Sequence, residues 1–255
     1  MVTRFDTSWD RPKAVLFDLD GTLYDQRVLR RAMLRELARA PFTKGPLTAL
    51  RIAKTLRTFR LMREELRGMT NPDSTFSELQ FSRPAKALGL EPEEVEAIVD
   101  EWMFQKPLRH MEAAAWPQMR STLDRLRSTG VRLGVYSDYP PKGKLRALGV
   151  DDLFDAALGA TDGDVNAFKP SPKGFLEGSR VLGAEVQDAV YVGDRHDLDA
   201  AGAAAAAMRC VILETGVSHV GAAGLAAPEP SDVAASAGCR SISRFTEVPR
   251  AVGAL

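Results

Sequence analysis

Short apolar runs that stop abruptly at polar turns recur along this 255-residue chain. A run of this kind is typical of a buried parallel strand, which delivers polar side chains to its C-terminal end. Helical patterns separate the runs, so the sequence predicts an α/β fold: a Rossmann-like, three-layer parallel sheet with ligands at the strand ends. The predicted strands are Ala14–Phe17, Val131–Tyr136, Ala189–Val192, Cys210–Leu213 and a short one near Ser241–Ile242; the predicted helices between them are Gln118–Ser128, Lys173–Leu182 and Asp199–Met208.

From Tyr24 to about Ala113 the alternation gives way to long amphipathic helical patterns. We therefore expect a helical domain, residues 24–113, inserted into a discontinuous core domain of residues 1–23 and 114–255. Pro92, directly after Glu91, predicts a helix that starts with proline at its first position. Residues 216–238 are rich in Ala, Gly, Ser and Pro, which predicts a loop or partly helical excursion. The apolar positions of the first two inserted helices are Leu34, Leu37, Ala38, Leu47, Leu50, Leu56, Phe59 and Met62.

Composition and charge exclude several classes of protein. Basic and acidic residues are equal in number, 34 of each, so the global charge predicts no nucleic-acid partner. Cys210 and Cys239 are too few for a disulfide framework or a four-cysteine zinc site, which favours a reducing compartment and a buried, inert Cys210. Residues 1–11 have no apolar segment, and no stretch approaches the roughly 20 apolar residues that cross a bilayer. We expect a cytoplasmic protein without a transmembrane segment.

The strongest candidate chemistry follows the first predicted strand, where Asp18 and Asp20 flank Leu19 before Gly21. Two carboxylates at a strand end can project into one crevice, bind a hard cation and divide the roles of nucleophile and proton carrier. A calcium loop also begins with this spacing. The positions that follow hold apolar or amide residues, Leu23, Gln26, Val28 and Leu29, instead of further calcium ligands.

Two further strand ends and one loop carry polar candidates. Asp194, Asp197 and Asp199 follow the third main strand and could supply more metal ligands, although a helix N-terminus also favours Asp at 197 or 199. Ser137 ends the second strand, and Lys169 lies in a loop before a helix. A hydroxyl and an ammonium suit a transferring phosphoryl group. Each is weak evidence by itself, because a turn serine or a solvated lysine is common.

In order along the chain, these segments resemble the motifs of the haloacid dehalogenase superfamily. Residues 13–22 and 116–213 carry the resemblance. It extends to the superfamily's phosphatase branch with a helical cap, such as phosphoglycolate phosphatases. The matching residues are Asp18, Asp20 and Thr22 of the first motif, Ser137 of the second, Lys169 of the third, and Asp194 with Asp199 of the fourth, for which Asp197 is a possible substitute.

The resemblance implies a Mg²⁺-dependent phosphatase that acts on a small phosphorylated metabolite. Asp18 would attack phosphorus to form an aspartyl-phosphate, and Asp20 would protonate the leaving oxygen and then activate water. The ion would be held by Asp18, the Asp20 backbone carbonyl and Asp194, with Asp199 in support. The substrate-binding residues would be Thr22, Ser137, Lys169 and the backbone of Asp138. The inserted helices would be the cap that closes over the site.

Three positions depart from the family's usual residues. Asp138 stands where Asn is frequent after the motif-two serine, and it could add negative charge near the phosphate. Gln118 and Ala207 stand where Gly is common. None of the three belongs to the chemical motifs.

The first half of the insertion is basic, with twelve Lys and Arg against three Glu between Arg27 and Arg67. A solvated helix face or attraction of an anionic substrate, an acidic partner or a membrane surface would explain it.

Two functions rival the phosphatase. One is a phosphomutase of the same superfamily, and the other is a non-catalytic binding protein that uses the basic face of the insertion. A dehalogenase is disfavoured by Asp20, because halide departure needs no proton. A monomer and a homodimer are both compatible with the sequence.

Overall fold

The computed structural model describes residues 9–69, 72–214 and 238–255. Six parallel strands form one sheet in the order β3-β2-β1-β4-β5-β6. This sheet, with helices around it, confirms the predicted Rossmann-like α/β fold. The strands are β1 (Ala14–Phe17), β2 (Arg132–Ser137), β3 (Ala156–Gly159), β4 (Ala189–Gly193), β5 (Arg209–Leu213) and β6 (Cys239–Ile242).

Within the described residues, helices lie in the connections between the strands, with the following bounds. The α-helices are α1 (Gln26–Lys44), α2 (Pro46–Arg67), α3 (Phe76–Leu88), α4 (Pro92–Val99), α5 (Met111–Ala114), α6 (Met119–Arg127), α7 (Lys142–Ala147), α8 (Lys173–Val181), α9 (Ala201–Ala205) and α10 (Val248–Ala251). The short π and 3₁₀ segments are Asp100–Gln105, Lys106–His110, Asp151–Leu153, Val186–Asp188, His196–Ala200 and Phe245–Glu247.

Strand β1 is the centre of the sheet and positions the site. It pairs with β2 on one side and β4 on the other, so Phe17 lies opposite both Val135 and Val192. Alternate residues of β1 enter two different apolar clusters, Phe17 on one face of the sheet and Leu16 on the other. The crevice of such a sheet opens where neighbouring strands lead away in opposite directions, which here is the C-terminal end of β1.

Two elements differ from the sequence predictions. Strand β3 was not predicted, because Ala156–Gly159 reads Ala-Ala-Leu-Gly and is only partly buried at the sheet edge. The helix predicted over Asp199–Met208 is shorter, since His196–Ala200 forms a π turn and α9 ends at Ala205. The prediction of a helix with Pro92 at its first position is confirmed.

The inserted helices α1–α4 have an apolar cluster of their own. Leu56 and Phe59 are buried in it, whereas Leu34, Leu47 and Leu50 are exposed. The predicted apolar face was therefore wrong at these three leucines. On α2 the buried face instead follows Ala49, Ile52, Leu56, Phe59, Arg63 and Leu66.

The two cysteines form a disulfide bond. Strands β5 and β6 are neighbours, and their register places Cys210 opposite Cys239. Cys210 is buried as predicted, but it is bonded rather than a free thiol, which the sequence analysis did not anticipate. Most of the segment predicted as a loop over 216–238 lies outside the described residues. Within residues 9–69, 72–214 and 238–255, no helix has the length and apolar character needed to span a membrane.

Candidate active site

Most of the predicted residues meet in one cavity of about 630 Å³ at the C-terminal ends of β1, β2 and β4, whereas Thr22 is buried and is not among the residues that line it. Asp18 follows β1, Ser137 ends β2, and Asp194 follows β4. Lys169, from the loop that precedes α8, and Asp199, from the turn that precedes α9, line the same cavity. Each side chain therefore comes from a different strand end or loop, as expected for a site at the edge of a parallel sheet.

Asp18 and Lys169 form the buried centre of the site. The Lys169 Nζ atom lies 2.5 Å from Asp18 Oδ1 and 2.8 Å from Asp199 Oδ1. The Thr22 hydroxyl donates a hydrogen bond of 3.2 Å to Asp18 Oδ2. The Lys169 side chain is 2% exposed, so its charge is balanced by carboxylates instead of water.

Asp199 is held by the backbone as well as by Lys169. Its Oδ2 accepts hydrogen bonds from the amides of Asp194 (3.1 Å) and Arg195 (3.0 Å), and the Tyr191 hydroxyl donates to Oδ1 at 3.3 Å. Asp197 instead pairs with Arg195. The structure thus brings Asp199, rather than its possible substitute, to the centre of the site.

Glycines allow the carboxylates to approach the backbone. Gly21 has a φ of 110°, and a Cβ there would lie 2.2 Å from Asp194 Oδ2. At Gly193 a Cβ would lie 2.5 Å from the carboxylate of Asp199. Any side chain at Gly21 or Gly193 would therefore displace an acid of the site.

Three buried carboxylates form a cluster that fits a divalent cation. One oxygen from each of Asp18, Asp194 and Asp199 lies within 4.8 Å of the others. When all three are ionised, Lys169 offsets one of their three negative charges, and two remain in a buried position. Oxygen donors with this excess charge match the preference of Mg²⁺ and similar hard cations.

Burial raises the pKa of Asp18 to about 8; Lys169 opposes the shift, and the charges of Asp199 and Asp194 add to it. A cation bound among these carboxylates would act in the opposite direction and keep Asp18 ionised. Burial by itself would lower the pKa of Lys169, but Asp18 and Asp199 raise it well above its ordinary value. Lys169 is therefore a permanent positive charge in the site.

Asp20 lies beside this cluster and has different partners. Its Oδ1 accepts hydrogen bonds from the Tyr24 hydroxyl and from the ammonium of Lys144, a largely buried residue of α7. Both donors reach the same oxygen. This arrangement fixes the orientation of the carboxylate and leaves Oδ2 for another proton partner.

The residue after Ser137 connects the site to the insertion. Asp138 Oδ2 lies 2.7 Å from a guanidinium nitrogen of Arg67, and the Arg63 guanidinium donates to the Asp138 carbonyl at 2.7 Å. Burial would raise the pKa of Asp138, but Arg67, Lys169 and Arg63 hold it below its usual value. The negative charge expected near the phosphate is thus paired with Arg67. The hydroxyl of Ser137 accepts a hydrogen bond of 3.3 Å from the Tyr139 amide.

Sequence reasoning missed Lys144, Tyr24, Arg63 and Arg67 as residues of this region. Tyr24 lies four residues after Asp20, which is a usable local signal. Lys144 has no such signal, since it is 124 residues from Asp20 and its neighbour Lys142 is exposed. The cations that recur every three or four residues from Arg51 to Arg67 form a basic stripe along α2. Arg63 belongs to this stripe yet is 2% exposed, so the stripe is not uniformly a solvated face.

Comparison with known proteins gives consistent results. A family model described as haloacid dehalogenase-like hydrolase matches residues 12–207. The glyceraldehyde 3-phosphate phosphatase of Methanopyrus kandleri is 32% identical over 80% of this chain and 84% of its own length. Phosphoglycolate phosphatase 1 of Pseudomonas aeruginosa is 27% identical over 82% of this chain and 71% of its own.

Two solved structures show the same architecture over nearly the whole chain. A HAD phosphatase from Thermococcus onnurineus superposes with a TM-score of 0.61 and 26% identity, covering 95% of this chain and 98% of the other. A 2-haloacid dehalogenase from Pseudomonas syringae pv. Tomato gives a TM-score of 0.59 and 25% identity, covering 94% and 98%.

Proposed function

Because the chain belongs to the haloacid dehalogenase-like hydrolase family, we propose that it is a Mg²⁺-dependent phosphatase that hydrolyses a small organic phosphate monoester. The observation that carries this proposal is the pairing of Asp18 with Lys169 beside Asp194 and Asp199, with a second acid, Asp20, next to them. The phosphatases among its relatives support the same activity.

The first half-reaction transfers the phosphoryl group to Asp18. A carboxylate oxygen of Asp18 attacks phosphorus, the bond between phosphorus and the alcohol oxygen breaks, and Asp20 gives its proton to that oxygen. Lys144 and Tyr24 both contact Asp20 Oδ1, so they orient the acid while its other oxygen carries the proton. The products of this step are the free alcohol and an aspartyl-phosphate.

The second half-reaction restores the enzyme. Asp20 removes a proton from water, the water oxygen attacks phosphorus, and the bond to Asp18 breaks to release inorganic phosphate. Lys169 offsets negative charge on Asp18 and on the phosphoryl oxygens throughout. Thr22, Ser137 and the Asp138 amide are proposed to hold those oxygens.

Asp18, Asp194 and the Asp20 carbonyl would hold Mg²⁺, with Asp199 in support. When bound, the ion supplies positive charge that lets an anionic substrate approach a cluster of carboxylates. We also propose that residues 24–113 act as the cap, since α2 contacts the loops after β2 and before α8 through Arg63 and Arg67.

Two rival activities are distinguishable. A dehalogenase needs no proton donor for the leaving halide, so the held position of Asp20 favours phosphoryl transfer. A phosphomutase would return the group to its substrate, and release of inorganic phosphate together with an equal amount of alcohol would exclude it.

The test is turnover of a phosphate-ester panel that includes p-nitrophenyl phosphate, with and without Mg²⁺. Asp18→Asn should lower phosphate release by at least about 10⁴-fold, with an unchanged circular dichroism spectrum. Asp124→Asn, an exposed core-domain acid, is the matched control and should retain activity. Near-native turnover by Asp18→Asn would overturn the nucleophile assignment.

A further inference from the structure

Two helical faces form the wall of the cavity opposite the catalytic carboxylates. On α1 the wall includes Leu34 and Leu37, and on α2 it includes Ala53, Arg57 and Arg60. Spacings of three and four residues place such side chains on one face of each helix. Both faces therefore lie where the alcohol part of a bound ester would extend.

Most of this wall is apolar. Met33, Leu56, Trp102 and Met103 line the cavity together with the two leucines of α1. Leu34 is 65% exposed even though it is a large hydrophobic residue within the wall. Covering such a side chain with an apolar ligand removes apolar surface from water, which is favourable. Contact with this wall is thus more favourable for an apolar alcohol than for a polar triose.

Three cations interrupt the apolar wall. Arg30, Arg57 and Arg60 are exposed and line the cavity, and no carboxylate of the described residues forms an ion pair with them. Some other basic residues of the same helices are paired, as Lys44 is with Glu101 and Arg51 with Glu94. The described residues provide no ion pair for Arg31, Arg35, Arg39 and Lys54, but these four lie outside the cavity lining. Among the described residues of α1 and α2, Arg30, Arg57 and Arg60 are thus the cations without an acid partner that line the cavity.

The positions of Arg57 and Arg60 along α2 bear on the length of the substrate. Arg67 marks the level of the catalytic loops, because it donates a hydrogen bond of 2.9 Å to the Lys169 carbonyl. Arg60 and Arg57 precede it by two and three helical turns, which corresponds to about 10 and 15 Å along the helix axis. This offset between the backbone positions of Arg57 and Arg60 and the level of the catalytic loops favours an ester longer than a phosphorylated three-carbon compound.

We propose that the natural substrate is a phosphate monoester whose alcohol has an apolar body, longer than three carbons, ending in a second anionic group that Arg30, Arg57 and Arg60 bind. This inference rests on the proposed phosphatase function and names the substrate class for the same site. The cavity of about 630 Å³ has the capacity of sites that bind drug-sized ligands, which agrees with a substrate of this length.

The experiment compares three synthetic esters in the presence of Mg²⁺. They are phosphoglycolate, octyl phosphate and an eight-carbon alkyl phosphate that carries a terminal carboxylate. We expect kcat/KM for the carboxylated long ester to exceed that for phosphoglycolate by at least about tenfold, and to exceed that for octyl phosphate.

Variants separate the contribution of the arginines to substrate binding from that of the exposed leucine. The double variant Arg57→Gln/Arg60→Gln should lower the ratio of kcat/KM for the carboxylated ester over octyl phosphate by about tenfold. Arg125→Gln, at an exposed arginine of α6 outside the cavity lining, should leave the ratio unchanged. Leu34→Ser should lower kcat/KM for both long esters, whereas Leu176→Ser, at an exposed leucine of α8, should not.

A preference for phosphoglycolate over both long esters would overturn the inference while leaving the phosphatase function intact. An unchanged ratio in the double arginine variant would overturn the binding of a second anion. Absence of phosphate release from every ester, p-nitrophenyl phosphate included, would instead overturn the proposed function and the inference with it.

Discussion

Arg67 of the inserted helix α2 forms an ion pair of 2.7 Å with Asp138, the residue directly after Ser137. The same guanidinium donates to the Lys169 carbonyl. One side chain of the insertion therefore contacts two loops of the site, and it explains why an acid at position 138 is compatible with an anionic substrate.

Removing Arg67 should destabilise the protein because it leaves Asp138 buried without its main partner. We expect Arg67→Gln to lower the free energy of unfolding by about 3 kcal/mol, measured by urea denaturation. The double variant Arg67→Gln/Asp138→Asn should recover part of that loss. Strict additivity of the two single variants would show that the ion pair does not couple them.

Lys144 should affect the step that needs a proton from Asp20. Lys144→Met removes one of the two donors to Asp20 Oδ1, so kcat for alkyl phosphates should fall by about 10- to 100-fold. The loss should be smaller for p-nitrophenyl phosphate, whose leaving group departs with little help from an acid. Lys142→Met changes an exposed lysine of the same helix and should have little effect. Equal losses for both ester types would contradict a role through Asp20.

The variants Asp199→Asn and Asp197→Asn form a matched pair that tests the proposed cation site. Asp199→Asn should raise the Mg²⁺ concentration for half-maximal activity by about 10- to 100-fold, because this carboxylate supports the cluster. Mg²⁺ should also raise the melting temperature of this variant less than that of the wild type. In Asp197→Asn both responses should stay close to those of the wild type. The opposite pattern would make Asp197 the supporting acid.

Gln118 and Ala207 adopt left-handed backbone conformations, with φ values of 62° and 55°. A residue with a Cβ is disfavoured there by about 1 kcal/mol, so Gln118→Gly and Ala207→Gly should each raise the melting temperature by about 2–4 °C. Ala204→Gly, inside α9, should lower it, since glycine weakens a helix interior. A lower melting temperature in both Gln118→Gly and Ala207→Gly would contradict this explanation.

The sequence was sufficient to predict the elements whose signals are local. Apolar runs identified β1, β2, β4 and β5, and polar residues at their ends identified Asp18 and Ser137. Strand β3 was missed because its four residues are short, small and only partly buried. The face of α2 that becomes buried depends on packing against neighbouring helices, which periodicity did not determine.

The site residues that the sequence did not predict depend on contacts between segments that are distant in sequence. Lys144 reaches Asp20 across 124 residues, and Arg63 reaches the Asp138 carbonyl across 75. In the sequence Lys144 looks like its exposed neighbour Lys142, and Arg63 looks like any cation of a basic stripe. The sequence showed that Gln118 and Ala207 stand where Gly is common in the family, but it did not show their left-handed backbone conformations.

The disulfide between Cys210 and Cys239 has a practical consequence for limited proteolysis. These residues are 29 apart in sequence, and the bond closes a covalent ring that joins β5 to β6. A protease that cuts once inside this ring produces two polypeptides that still migrate as one species. They separate on a gel only after reduction, so a digest run without reductant would report a nicked molecule as intact.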